Sequence, residues 1–160
     1  MYYLLRKETE LNFKKIKGVQ KFTIHPAAGA ADIEWDPYTR LTYDPFRYAA
    51  AAVGFNIIDM RIRVKGTIRS NQQDIYLISN LDGTEFRLIG PIYTEPGRYT
   101  PKYNLATHPL SPKARDVLLE MEKREKNVTI AGPLLLPSYY YNPLTLITEQ
   151  IKVDKENDQE

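Results

Sequence analysis

Residues 60–90 read MRIRVKGTIRSNQQDIYLISNLDGTEFRLIG, and the alternation inside them decides the fold class. Met60, Ile62, Val64, Gly66 and Ile68 fall on one side of an extended chain, and Arg61, Arg63, Lys65, Thr67 and Arg69 fall on the other. Successive side chains of a strand point to opposite faces, so one face is core and the other cationic. Past the polar stretch 70–74, the runs 75–79 and 84–89 flank Asp82-Gly83, a pair that tolerates the two positive φ values of a type I′ turn. The stretch is expected to form a three-stranded antiparallel meander. A two-residue turn at Asp82-Gly83 sets Ser79 against Phe86 and Leu77 against Leu88 on one face, with Ile78 against Arg87 and Tyr76 against Ile89 on the other. The second face is more apolar than water requires, so another segment or a partner is expected to cover part of it.

Downstream of the meander, residues 91–112 carry five prolines and three tyrosines, a density that no long helix or central strand survives. Residues 91–110 are therefore read as an extended arm. Ser111 and Pro112 then supply a helix cap and a first-turn proline, and Ala114, Val117, Leu118 and Met121 supply the apolar stripe of a helix over 112–126. Residues 128–130 read as a strand, 132–143 as an apolar and aromatic loop, and 144–153 as a last strand. From residue 60 the order is β-β-β-α-β-β. That order resembles an oligonucleotide/oligosaccharide-binding (OB) barrel, where the helix lies between the third and fourth of five strands. A small barrel of another class, or a sandwich completed by N-terminal pieces, gives the same string. The expected fold is mainly β with one main helix: a small antiparallel, OB-like barrel over 60–153, an N-terminal extension over 1–59 and an acidic tail over 154–160.

Within the extension, Leu4, Leu5, Leu11, Phe13 and Ile16 follow neither a period of two nor one of 3.6 throughout, and Phe13, Ile16, Val19 and the run 20–24 are read as short strand pieces separated by Gly18. Two similar phrases follow, Trp35-Asp36-Pro37-Tyr38 and Tyr43-Asp44-Pro45-Phe46. In the first the chemistry suits a type I turn. In the second, Asp44 is expected to cap a short helix near 45–53 that Gly54 closes.

Charge is nearly balanced, with 22 basic and 20 acidic side chains, so the chain as a whole makes no case for a polyanionic partner. Its distribution is uneven: the first twenty-odd residues are basic, and Asp154, Glu156, Asp158 and Glu160 make the last segment acidic. Cysteine is absent, which excludes thiol catalysis, disulfide frameworks and thiolate metal sites. The start MYYLLRKETE offers neither a secretory core nor a membrane span, so an intracellular site is expected, with no membrane partner.

No nucleophile elbow, glycine-rich phosphate loop or Ser-x-x-Lys pattern occurs, and neither catalysis nor a cofactor is expected. His25 and His108 each precede a proline, and neither has a second nitrogen ligand nearby, so both read as loop residues. Asp32, Glu34 and Asp36 share one side of an extended segment; a solvated strand edge explains them better than a cation site. Two features point to contact with something else. The tyrosines of the two proline-rich segments, Tyr93, Tyr99, Tyr103, Tyr139, Tyr140 and Tyr141, are of the type that anchors protein interfaces, because their large amphipathic rings order at low entropy cost. They suggest a non-enzymatic structural or adaptor subunit of a larger homo- or hetero-oligomeric assembly, such as a ring, a connector or a virion component. The alternative is a single-stranded nucleic-acid-binding barrel whose groove is formed by Arg61, Arg63, Lys65, Arg69, Tyr76 and Arg87.

Overall fold

The structure, a computed structural model, describes residues 2–90, 109–135 and 143–155, with side chains from residue 6 onward. The chain forms two compact units, Met1–Ile57 and Ile58–Glu160.

The first unit holds helix α1 (Tyr2–Lys14), the antiparallel strands β1 (Val19–His25) and β2 (Ala30–Trp35), and helix α2 (Asp44–Ala52). α1 replaces the strand piece expected at Phe13, whereas the strand expected over Val19 and 20–24 is present as β1. Among its described side chains Thr9, only 4% exposed, and Phe13 are buried at a spacing of four, and Ile16 just past the helix end is buried three residues on. Leu11, which an apolar pattern would place inside, is 51% exposed. Phe13 stacks on Phe22 at 4.8 Å between ring centroids, and Phe46 lies 5.5 Å from Trp35, so four aromatic rings from four elements make this small core. Gly18, at φ 104°, is required twice over: a side chain there would be strained, and its Cβ would fall inside the Trp35 ring.

The two Asp-Pro phrases diverge as their neighbours dictate. After β2, Thr39 N–H donates to the Asp36 carbonyl at 3.2 Å, closing a turn. In the second phrase Tyr43, not Asp44, occupies the N-cap position, without a side-chain cap bond. The Asp44 carboxylate instead accepts from Arg47 Nε and Nη2 at 3.3 and 3.2 Å one turn on. Gly54 N–H donates to Ala51 O and Phe55 N–H to Ala50 O, ending α2 with Gly54 in the left-handed region.

The second unit is a curled six-stranded half-barrel sheet. Its strands are β3 (Arg61–Ser70), β4 (Ile75–Ser79), β5 (Glu85–Ile89), β6 (Val128–Pro133), β7 (Leu144–Ile147) and β8 (Gln150–Val153), with helix α3 (Pro112–Lys123) between β5 and β6. Across the sheet they lie in the order β7-β5-β4-β3-β6-β8. The fold is thus mainly β, with three α-helices among the described residues. The meander is as expected in strands and faces, but its register is two residues off: Leu77 meets Phe86, Tyr76 meets Arg87 and Ile75 meets Leu88. The loop is longer than a two-residue turn. Ser79 N–H bonds the Thr84 carbonyl, Gly83 N–H reaches back to Ser79 O, and the Asp82 carboxylate takes the Thr84 N–H and hydroxyl. Because the shift is even, every side chain keeps its face.

β3 changes partner partway along. Residues Arg61 to Gly66 pair with β6, and Gly66 to Ser70 pair with β4. Gly66 is the shared corner, and a Cβ there would run into the Ile78 carbonyl. The last strand is likewise divided. β7 runs parallel to β5 and β8 antiparallel to β6, with Thr148 and Glu149 as the bend, so the two margins of the sheet are consecutive in the chain. An isolated bridge between Leu134 and Leu146 joins the end of β6 to β7, and Gly132 passes against the Ile147 carbonyl where a side chain would not fit.

The concave side is the core. Ile75, Leu77, Phe86, Ile130 and Leu146 are each at most 1% exposed, and Leu118 and Met121 of α3 are buried. α3 begins where expected: the Ser111 hydroxyl accepts the Ala114 N–H at 3.2 Å, with Pro112 in the first turn. At its other end Glu122 accepts from Ser70 N–H at 2.8 Å and from the Ser70 hydroxyl at 2.5 Å, tying α3 to the end of β3. On the convex side Ile89, Thr145 and Ile147 are covered, at 3%, 1% and 1% exposed. Part of the outer face is therefore shielded, as its apolar content suggested.

Candidate nucleic-acid interface

Strand register places the predicted basic residues. Arg61, Arg63, Lys65, Thr67 and Arg69 are all exposed along the convex face of β3. Because β3 serves both parts of the sheet, these residues form a strip that crosses the corner at Gly66. Arg69 pairs with Tyr76, and Tyr76 pairs with Arg87, so three adjacent strands set guanidinium, phenol and guanidinium in one row. Neighbouring strands lie about 4.8 Å apart, which separates the two guanidinium-bearing positions by about 10 Å with the aromatic ring between them. On the other side of the corner Lys65 pairs with Thr129 and Thr129 with Lys152, adding a cation that the sequence reading did not include.

The charges of this strip differ in their partners. Asp74, in the loop before β4, accepts from Arg87 Nε and Nη2 at 3.0 and 2.7 Å, and from the Tyr76 hydroxyl at 3.4 Å. The Asp74 and Arg87 side chains are 21% and 28% exposed, so this pair is the most sheltered of the strip and holds both Arg87 and Tyr76 in place. Arg61 pairs with Glu149 and, at 3.8 Å, with Asp59. Lys65 reaches Asp154 at 2.6 Å. Both of these cations are more than half exposed, where an ion pair contributes about 0–1 kcal/mol and exchanges readily for another anion. Arg63, Arg69 and Lys152 have no ion pair among the described residues. Asp59, Asp74 and Glu149 were not singled out in the sequence, and Asp154 was read only as part of the acidic tail, because all four lie outside the strands and only the pairing brings them to the strip.

The other candidates resolve into local structure. Asp32 binds His25 Nε2 at 2.8 Å, and Glu34 faces Lys21 at 3.4 Å, each across the β1–β2 ladder. Asp36 accepts from the Thr39 hydroxyl at 2.7 Å and the Tyr38 N–H at 3.0 Å, and these bonds, the hydroxyl first, hold its carboxyl below the usual carboxylate range. Burial pushes the Tyr43 hydroxyl above its ordinary range. No group of three or more histidines and carboxylates suited to a metal occurs among the described residues. His108 and the six tyrosines expected as contact anchors, Tyr93, Tyr99, Tyr103, Tyr139, Tyr140 and Tyr141, lie outside the described residues. Among the described residues no helix is long and apolar enough to cross a membrane. No family model, no curated protein and no solved structure matches the chain.

Proposed function

We propose that the second unit is a non-enzymatic binding module of the OB type that takes single-stranded nucleic acid on its convex face. The observation that carries the reading is the Arg69–Tyr76–Arg87 row, an aromatic ring between two guanidinium-bearing positions on adjacent strands. A π-face stacks any base, while the flanking cations meet the backbone on either side. The barrel type is supported by the pairing. A three-stranded meander is followed by a helix, then by a strand antiparallel to the first, and then by a divided strand that lies parallel to the third and antiparallel to the fourth. Such barrels present the face of their second and third strands, here β4 and β5, to oligonucleotides.

Fluorescence anisotropy with a labelled single strand of about 16 nucleotides, the upper end of the site sizes for this type, tests the proposal at low salt. Tyr76→Ala is expected to weaken binding by about 1–3 kcal/mol, and Arg69→Ala to weaken it and flatten its salt dependence. Absence of binding, or binding indifferent to both substitutions, refutes it.

The assembly reading rests on composition, six tyrosines in two proline-rich segments, and applies to an intracellular or virion-borne complex. A monomeric elution profile at micromolar concentration would refute that reading and leave the first untouched.

A further inference from the structure

We propose that the bend and end of the last strand act as an acidic clasp that masks part of the convex cationic strip and so sets its affinity and salt response. The inference rests on the nucleic-acid reading above. Glu149 immediately precedes β8 and Asp154 immediately follows it, and among the described residues β8 pairs with β6 alone. From those two positions the carboxylates cross β6 to two cations of β3: Glu149 binds Arg61, and Asp154 binds Lys65 at 2.6 Å. Both cations point outward at even spacing with Arg63 between them, so the clasp brackets an arginine that has no ion pair among the described residues. The Lys65 and Asp154 side chains are 53% and 36% exposed, and those of Arg61 and Glu149 54% and 40%, so a phosphate backbone can compete for each cation from solvent. The Asp74–Arg87 pair differs: it is sheltered, and it orients the row at Tyr76. The strip thus combines one cation held in place with two that an internal anion occupies until a ligand displaces it.

Displacing an internal carboxylate costs part of the binding free energy and reduces the number of cations that count in the salt dependence. For single strands that dependence has a slope of about −0.7 per neutralised phosphate. Asp154→Asn is therefore expected to tighten oligonucleotide binding and steepen the slope by about 0.7, and Glu149→Gln with Asp154→Asn to steepen it further, up to about 1.4, because Asp59 still stands 3.8 Å from Arg61. Adding Lys65→Ala to Asp154→Asn removes the gain. Asp116→Asn, at an exposed carboxylate on α3, changes the net charge by the same one unit as Asp154→Asn and is expected to leave the slope unchanged. The measurement is a salt series of anisotropy titrations with the same labelled strand, on full-length variants checked for native circular dichroism. If wild type binds but the clasp variants keep its slope, or Asp116→Asn steepens it equally, the clasp is refuted and the proposed function stands. If no variant binds at any salt, both fail.

Discussion

Substituting Gly66 by alanine tests the architecture that carries the convex strip. Gly66 is the one residue of β3 paired with both neighbours, Ser79 on β4 and Val128 on β6. Its φ is not in the left-handed region, so alanine introduces no backbone strain of its own; the cost is spatial. The added Cβ would meet the Ile78 carbonyl oxygen, sit 2.8 Å from the Ile78 carbonyl carbon, and press on Leu77 Cδ1 at 3.1 Å. Leu77 is fully buried, and the Ile78 carbonyl belongs to the β4 backbone, so neither can turn aside as an exposed side chain would. Overpacking of this kind costs about 1–3 kcal/mol. Loosening the ladder at the corner adds about 0.5–1.5 kcal/mol for each hydrogen bond lengthened. A total near 3 kcal/mol is expected, or a fall in Tm of roughly 12–24 °C for a unit of this size. Thermal and urea unfolding followed by far-ultraviolet circular dichroism measures it. Gly29→Ala is the control: it stands at φ 60° with nothing within 4 Å of its Cβ, so it bears only the left-handed backbone cost of about 1–2 kcal/mol. A Gly66→Ala protein within about 0.5 kcal/mol of wild type, the scatter of an ordinary surface change, would show that β3 does not turn a corner at this residue.

Two further outcomes concern the first unit. Phe46, 1% exposed and in ring contact with Phe13 and Trp35, is expected to cost about 3–5 kcal/mol when cut to alanine, enough to unfold so small a core. Trp35 is the sole tryptophan, so a red shift of its emission with the β signal of the second unit retained reports that loss locally, and unshifted emission refutes it. Asp36 has a depressed carboxyl pKa, so its bonds to Thr39 and Tyr38 stabilise the turn fully above the ordinary value of 3.8. That contribution is lost as pH falls through the lower folded value. Asp36→Asn is expected to flatten this part of the acid unfolding limb, and an unchanged limb would argue against the bonded turn.

The second unit was largely legible because its strands alternate. The faces of β3 to β5, the cap of α3 and the succession of later strands all follow from period and from Ser111-Pro112. Register was harder: Asp82-Gly83 satisfies a two-residue turn, but Asp82 uses its carboxylate on Thr84 instead and lengthens the loop. α1 was hidden by Thr9, a polar residue in a buried position, and by the exposed Leu11, which together blur the helical period. For the strip, the cations of β3 were legible, since they lie on one strand at even spacing, whereas Lys152 was not. Their state was not, because Asp74, Glu149 and Asp154 reach it only through pairings between segments distant in the chain.

The two-residue bend at Thr148 and Glu149 bears on how the second unit comes apart. An ordinary open sheet frays from whichever outer strand is held least, and its amides exchange in that order. Here the outermost strands are one continuous piece of chain, so neither can peel far without pulling on the other, and loss of β8 drags on the parallel ladder between β5 and β7. Opening becomes a shared event of both margins. The half-barrel is thereby kinetically sturdier than its short strands of four and five residues would suggest.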